Sequence, residues 1–191
     1  MGRHNAVLAR PLEDADQQCR QRLRALGVVF ETKPPLIEDG GCSVPAPLSV
    51  STLGAGLTLE PAGTMNCAMA ETAATFAQTV ISPAAQTVYG SRLKAVANAS
   101  AYVCRPRHGS KKLSEHAFGN ALDIARLVLA DGTSIDVAAT DDPKAREFLG
   151  RIRKAACGPF KTVLGPGSDA DHATHFHLDL AHRRNGSTFC Q

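Results

Sequence analysis

His172-Ala173-Thr174-His175-Phe176-His177-Leu178-Asp179-Leu180 is the stretch on which the reading of this 191-residue chain turns. In a β-strand alternate side chains share a face. His175, His177 and Asp179 then point one way, and Phe176, Leu178 and Leu180 point the other, toward a core. Two imidazoles two residues apart on one strand face can approach a single centre, one as a metal ligand and one as a proton-handling group. His172 lies at the loop–strand junction, three residues before His175, and can cover the same centre.

A second window supplies the remaining donors: Ser114-Glu115-His116-Ala117-Phe118-Gly119-Asn120-Ala121-Leu122-Asp123-Ile124. Gly119 permits a turn between His116 and Asp123. Ala121, Leu122 and Ile124 imply that Asp123 is buried, and a buried carboxylate needs a partner such as a divalent cation. Two histidine nitrogens and one aspartate oxygen leave a fourth tetrahedral position open, which is the catalytic rather than the structural pattern for zinc. An H-x-H alone is a weak signal; two windows with complementary donors are far more specific. Asp179 reads either as an acceptor that orients a histidine or as a solvated carboxylate at a strand end. Asp169 and Asp171 read as loop charges, and His4, His108 and His182 as solvated, with His108 near enough in sequence to border the site.

The rest of the chain reads as α+β, a small antiparallel sheet with flanking helices. Residues 1–12 are expected to form a flexible N-terminal segment, followed by one domain over residues 13–191. Helices are predicted over Glu13–Leu26, with Gly27 as the stop, over the Ala-rich Thr64–Val80, from Pro83 to about Gly90, and over Asp141–Cys157. Met65, Met69 and Phe76 are core residues in this reading. Short strands are expected at Val28–Phe30, within Leu93–Arg105, at Thr162–Leu164 and at His175–Leu180. Ala121–Leu129 and Ser134–Val137 flank Asp131-Gly132, a hairpin signal. Asp39–Pro47 reads as a Gly/Pro-rich connector.

Composition narrows the classes further. The formal charge is +3, with no basic run beyond Lys111-Lys112 and Arg183-Arg184, so a nucleic-acid partner is not expected. No stretch approaches the roughly 20 apolar residues of a membrane span. Cys19, Cys42, Cys67, Cys104, Cys157 and Cys190 form no C-x-x-C pair; their even number favours three disulfides in an oxidising compartment, with the pairing open. The first residues hold no apolar signal-peptide core. The expectation is a monomer in the periplasm or cell envelope whose signal has been removed.

The pattern S-x-H-x-x-G-x-A-x-D followed by H-x-x-H-x-H resembles the LAS group of zinc peptidases, which includes D-Ala-D-Ala metallopeptidases and sonic-hedgehog relatives. The second window is most similar to penicillin-insensitive murein endopeptidases and zinc D-Ala-D-Ala carboxypeptidases. From about Cys19 to Cys190 the chain resembles the bacterial extensin-like C-terminal family. The phrases that carry the likeness are Leu26-Gly-Val-Val-Phe-Glu31, Cys104-Arg-Pro-Arg107, Ser114-Glu-His116, Gly119-Asn-Ala-Leu-Asp-Ile124 and His175-Phe-His-Leu-Asp-Leu180. The resemblance implies a LAS-type fold, with His116, Asp123 and His177 binding Zn2+ and with His175 and His172 as active-site histidines. It places Arg105 near the substrate carbonyl, with Arg107 as the alternative. It further implies a peptidoglycan amidohydrolase that cleaves a bond in murein stem peptides or cross-links, as endopeptidase or carboxypeptidase. The alternative is a non-catalytic, zinc-containing wall-binding or scaffold module on the same fold. The chain departs from the pattern at Thr174, where many relatives carry a carboxylate base; that role passes to His175, with His172 second.

Overall fold

The computed structural model describes the backbone of residues 3–191 and the side chains of residues 14–191. The flexible segment expected at residues 1–12 lies, in its side chains and in residues 1–2, outside the described residues. Helix α1 spans Arg3–Ala25, and Leu23 on its inner side is fully buried. Strands β1 (Phe30–Thr32), β2 (Leu36–Ile37), β3 (Ser43–Val44), β4 (Leu48–Thr52) and β5 (Thr58–Met65) follow.

A long helical run comes next: α2 (Cys67–Phe76), a π-helical stretch at Ala77–Ile81, and α3 (Ser82–Tyr89). The predicted start at Thr64 moves to Cys67, because Asn66 caps α2 by accepting the Met69 N–H at 2.8 Å, while Thr64 and Met65 finish β5. Met65, Met69 and Phe76 are core residues, as expected. Gln78, in the π-helical stretch, donates to the carbonyls of Leu26 and Leu53 at 3.1 and 2.7 Å and so ties two loops to the helix.

Strand β6 (Leu93–Ser100), a 3₁₀ turn at Glu115–Phe118, β7 (Ala121–Leu129), β8 (Ser134–Asp136), α4 (Pro143–Ala156), β9 (Thr162–Leu164), β10 (Phe176–Asp179) and β11 (Phe189–Cys190) complete the order. Asp142 caps α4 through the Lys144 N–H. The β7–β8 hairpin and β9 fall where the sequence places them. Two of the expected strands move: the first strand forms at Phe30–Thr32, and Cys104 lies beyond the end of β6.

The α+β class holds, but the sheet is neither small nor wholly antiparallel. Nine strands pair in the order β1-β4-β5-β6-β7-β10-β9-β11, with β8 beside β7, and β5–β6 and β9–β11 run parallel. Leu48-Ser-Val-Ser-Thr52 alternates in the way a half-buried strand should, with Leu48 and Val50 fully buried. Pro61 and Gly63 disguise β5; its pairing with β6 ends at Glu60, just before the proline that has no N–H to give. The core lies between the helices and one face of this sheet and draws on Leu59, Val96, Leu127, Phe148, Phe160 and Leu178.

The six cysteines pair as Cys19–Cys67, Cys42–Cys104 and Cys157–Cys190. The third staples the end of α4 to the last strand. Because its ends are 33 residues apart, chain-entropy arguments assign its loss about 3.7 kcal/mol. Replacing Cys157 and Cys190 together by serine should lower the urea-unfolding free energy by about that amount, measured by circular dichroism.

Candidate metal centre and its cleft

Strands β7 and β10 are antiparallel neighbours, with His177 opposite Asp123, Leu178 opposite Leu122 and Phe176 opposite Ile124. Opposed residues of an antiparallel pair share a face. Leu122, Ile124, Phe176 and Leu178 therefore join the core, and His177 and Asp123 meet on the other side of the sheet. The two-residue period of the sequence is realised as one apolar and one polar face.

His116 reaches the same point from the 3₁₀ turn. Gly119 ends that turn at φ +59°, and a Cβ there would lie 2.9 Å from the backbone nitrogen of Asn66. The Asn66 N–H instead donates to the Gly119 carbonyl at 2.8 Å. Glycine is needed both for the left-handed backbone and for the close approach. The Asn66 and Asn120 side chains and Glu115 extend this brace, with contacts of 3.1 and 2.8 Å.

The three side chains converge. His116 Nε2 lies 3.2 Å from Asp123 Oδ2 and 3.2 Å from His177 Nδ1, and His177 Nδ1 lies 2.9 Å from Asp123 Oδ1. One ligand atom from each residue lies within 4.8 Å of the others, and all three residues are buried. The remaining ring nitrogens are already engaged. His116 Nδ1 bonds the Ala101 carbonyl, and His177 Nε2 lies 3.0 Å from Asp179 Oδ2. With those nitrogens as donors, the lone pairs of His116 Nε2 and His177 Nδ1 and the Asp123 carboxylate face one point. Two imidazole nitrogens and a carboxylate are a donor set that can hold a divalent metal, and zinc is among the ions it suits.

Of the two readings of Asp179, the structure supports the orienting acceptor: its carboxylate is buried, takes His177 through one oxygen, and accepts the Ala181 N–H through the other at 3.0 Å.

The charges respond to this packing. Burial pushes the Asp123 carboxyl upward, but hydrogen bonds from His116 and His177, with their charges, outweigh it and hold the group well below the usual carboxylate range. Asp179 is likewise pushed up by burial and brought down on balance by its hydrogen bonds to His177, the Ala181 backbone and Thr162. Burial lowers the His177 pKa, but the two flanking carboxylates raise it to about 9.

His175 sits at the edge of the centre, with Nε2 3.7 Å from Asp123 Oδ2. Burial lowers its pKa; Asp123 opposes the shift, and the neighbouring histidines add to it. His172 packs against it, with ring centroids 5.3 Å apart, and is held by Asp169, whose Oδ1 lies 2.6 Å from His172 Nδ1. Asp169 is thus a positioning group for His172, and Asp171 pairs with His108 at 2.5 Å at the mouth of the same cleft. The cleft has a volume of about 760 Å³, and its walls include Arg105, His172, His175, His177, Asp179 and Arg183. Arg107 is tied to Glu115 at 3.3 Å, whereas Arg105 is exposed and, among the described residues, makes no ion pair. Every predicted site residue therefore lies in or beside one cleft. Sequence reasoning missed Thr162, read only as part of a strand, and Arg183, read only as half of a basic pair; neither position carries a spacing signal.

Residues 17–191 match the family described as Extensin-like protein C-terminus, and the chain belongs to that family. Neither a curated protein nor a solved structure matches the chain significantly.

Two outcomes follow from this geometry. Gly119→Ala should destabilise the fold by about 2 kcal/mol in urea unfolding, because the left-handed strain is joined by a backbone clash. In metal-free protein the His177 pKa is raised above its ordinary 6.5 to about 9. The stabilisation from its protonated form is complete below pH 6.5 and is lost as pH rises through about 9. Urea midpoints in chelator should fall across that window, and the fall should flatten in His177→Gln.

Proposed function

We propose that this chain is a zinc-dependent amidohydrolase of peptidoglycan, cutting a peptide bond in murein stem peptides or cross-links, with a site of the LAS type. The observation that carries the reading is the convergence of His116, Asp123 and His177 beside a cleft that His177 itself lines, next to a histidine whose pKa burial lowers. Zinc, when bound by these three residues, supplies Lewis acidity that polarises a carbonyl and acidifies water to a pKa of about 7. His175, neutral at physiological pH, takes the proton of the attacking water and returns it to the leaving amine. His172, fixed by Asp169, packs against His175 and holds its ring in place. Arg105 offers an uncommitted guanidinium to the negative charge that develops on the substrate carbonyl oxygen. Three disulfides suit an oxidising location such as the periplasm or cell envelope, and no helix among the described residues is long and apolar enough to cross a membrane.

A non-catalytic zinc-holding wall module is the second reading. It is favoured by Thr174, exposed and unable to act as a base where a carboxylate would be placed.

Metal analysis and digestion of purified sacculi separate the two. Wild-type protein should carry one zinc and release muropeptides that disappear on chelation. His116→Ala should lose the metal and the products together. His175→Ala should keep stoichiometric zinc while cleavage falls at least about 100-fold, the usual scale of a general base. Full cleavage by His175→Ala would remove the residue from that role, and zinc without any product from wild-type protein would leave the module reading.

A further inference from the structure

We infer that Thr162 and Arg183 are positioning residues for the centre, forming a hydrogen-bond relay that runs Arg183–Thr162–Asp179–His177; the inference rests on the metal reading above. Thr162 is buried on β9 directly opposite Asp179 on β10, on the face that carries His177. Arg183 Nη2 donates to Thr162 Oγ1 at 2.9 Å. An arginine can only donate, so the hydroxyl must act as acceptor toward Arg183 and keeps its own proton for Asp179. Thr162 faces Asp179 across the strand pair and is among the groups that hold its carboxyl down, and the hydrogen bonds of Asp179 are to the Ala181 N–H and His177 Nε2. Each member thus has its direction set by the one before it.

The consequence falls on the His177 tautomer. A carboxylate held in place at Nε2 keeps the proton there and leaves the Nδ1 lone pair for the point shared with His116 and Asp123. Without the Thr162 hydroxyl, Asp179 loses a donor in a buried setting and is free to turn from His177. The outer end of the relay is anchored by the last strand: β11 pairs with β9, with Phe189 opposite Thr162, the Arg183 guanidinium lies 5.8 Å from the Phe189 ring centroid, and Cys190 is bonded to Cys157.

Thr162→Val removes the hydroxyl at constant shape, and Thr162→Ser restores it. Zinc affinity of the full chain, measured by chelator competition, should fall about 10–100-fold in Thr162→Val and stay within about threefold of wild type in Thr162→Ser. Arg183→Met should weaken binding in the same direction and serves if the valine variant does not fold. A second readout needs no metal: the His177 Nε2–H proton should exchange slowly in the wild type, at least about tenfold faster in Thr162→Val, and at the wild-type rate again in Thr162→Ser, as read by NMR. Wild-type zinc affinity in Thr162→Val, or an unchanged proton, overturns the relay. A wild type with no zinc affinity overturns the metal reading instead, and the proton measurement then decides the relay by itself.

Discussion

Asp123 is the constraint on which the rest of the structure depends. A carboxylate buried at the middle of a nine-stranded sheet is costly unless it is compensated. The compensation comes from His177, placed directly opposite by the β7–β10 register, and from His116, delivered by a turn some distance along the chain from β10. A one-residue slip between β7 and β10 would move His177 to the apolar face and set Phe176 or Leu178 against the carboxylate, so the polar cluster and the strand register specify one another.

The periphery of the fold serves the same point. Gly119 brings the 3₁₀ turn against the N-terminus of α2, and the Asn66–Asn120–Glu115 contacts keep it there. Cys19–Cys67 ties α1 to the start of that same helix, and Cys42–Cys104 anchors the segment that leads to Arg105 and His116. Cys157–Cys190 holds the last strand beside β9, where Thr162 faces Asp179. Each staple borders an approach to the cluster, and the sheet interior that carries it is held by ordinary packing of Leu122, Ile124, Phe176 and Leu178.

What was legible in the sequence follows from how local each signal is. The strand face of His175, His177 and Asp179, the Gly119 turn and the burial of Asp123 were readable because a two-residue period and a glycine are local marks. The α4 boundaries were readable from Asp142, Pro143 and Gly158. The extent of the sheet was not: Pro61 and Gly63 mask β5, and β2, β3 and β11 are two residues each, too short to show a period. Two parallel pairings were equally out of reach, since parallel neighbours are joined by distant contacts rather than by a hairpin turn. Thr162 and Arg183 acquire their meaning only from the strand opposite, so no spacing within one window marks them.

The two histidines that the sequence places on one strand face diverge in their chemistry for a reason the fold makes visible. His177 lies between two buried carboxylates and is driven to bind a positive charge, a proton or a metal, at Nδ1. His175, one step out, has a single carboxylate at 3.7 Å and three histidines around it, so burial and like charge favour its neutral form. Neighbouring groups whose surroundings push their pKa values apart can divide a reaction between them. In the proposed hydrolase, the residue that holds positive charge is the ligand, and the one that resists it is left with a free lone pair for a proton. The absence of a carboxylate at Thr174 is then no defect: an additional negative charge beside His175 would raise its pKa and oppose the neutral state on which its role as a base depends.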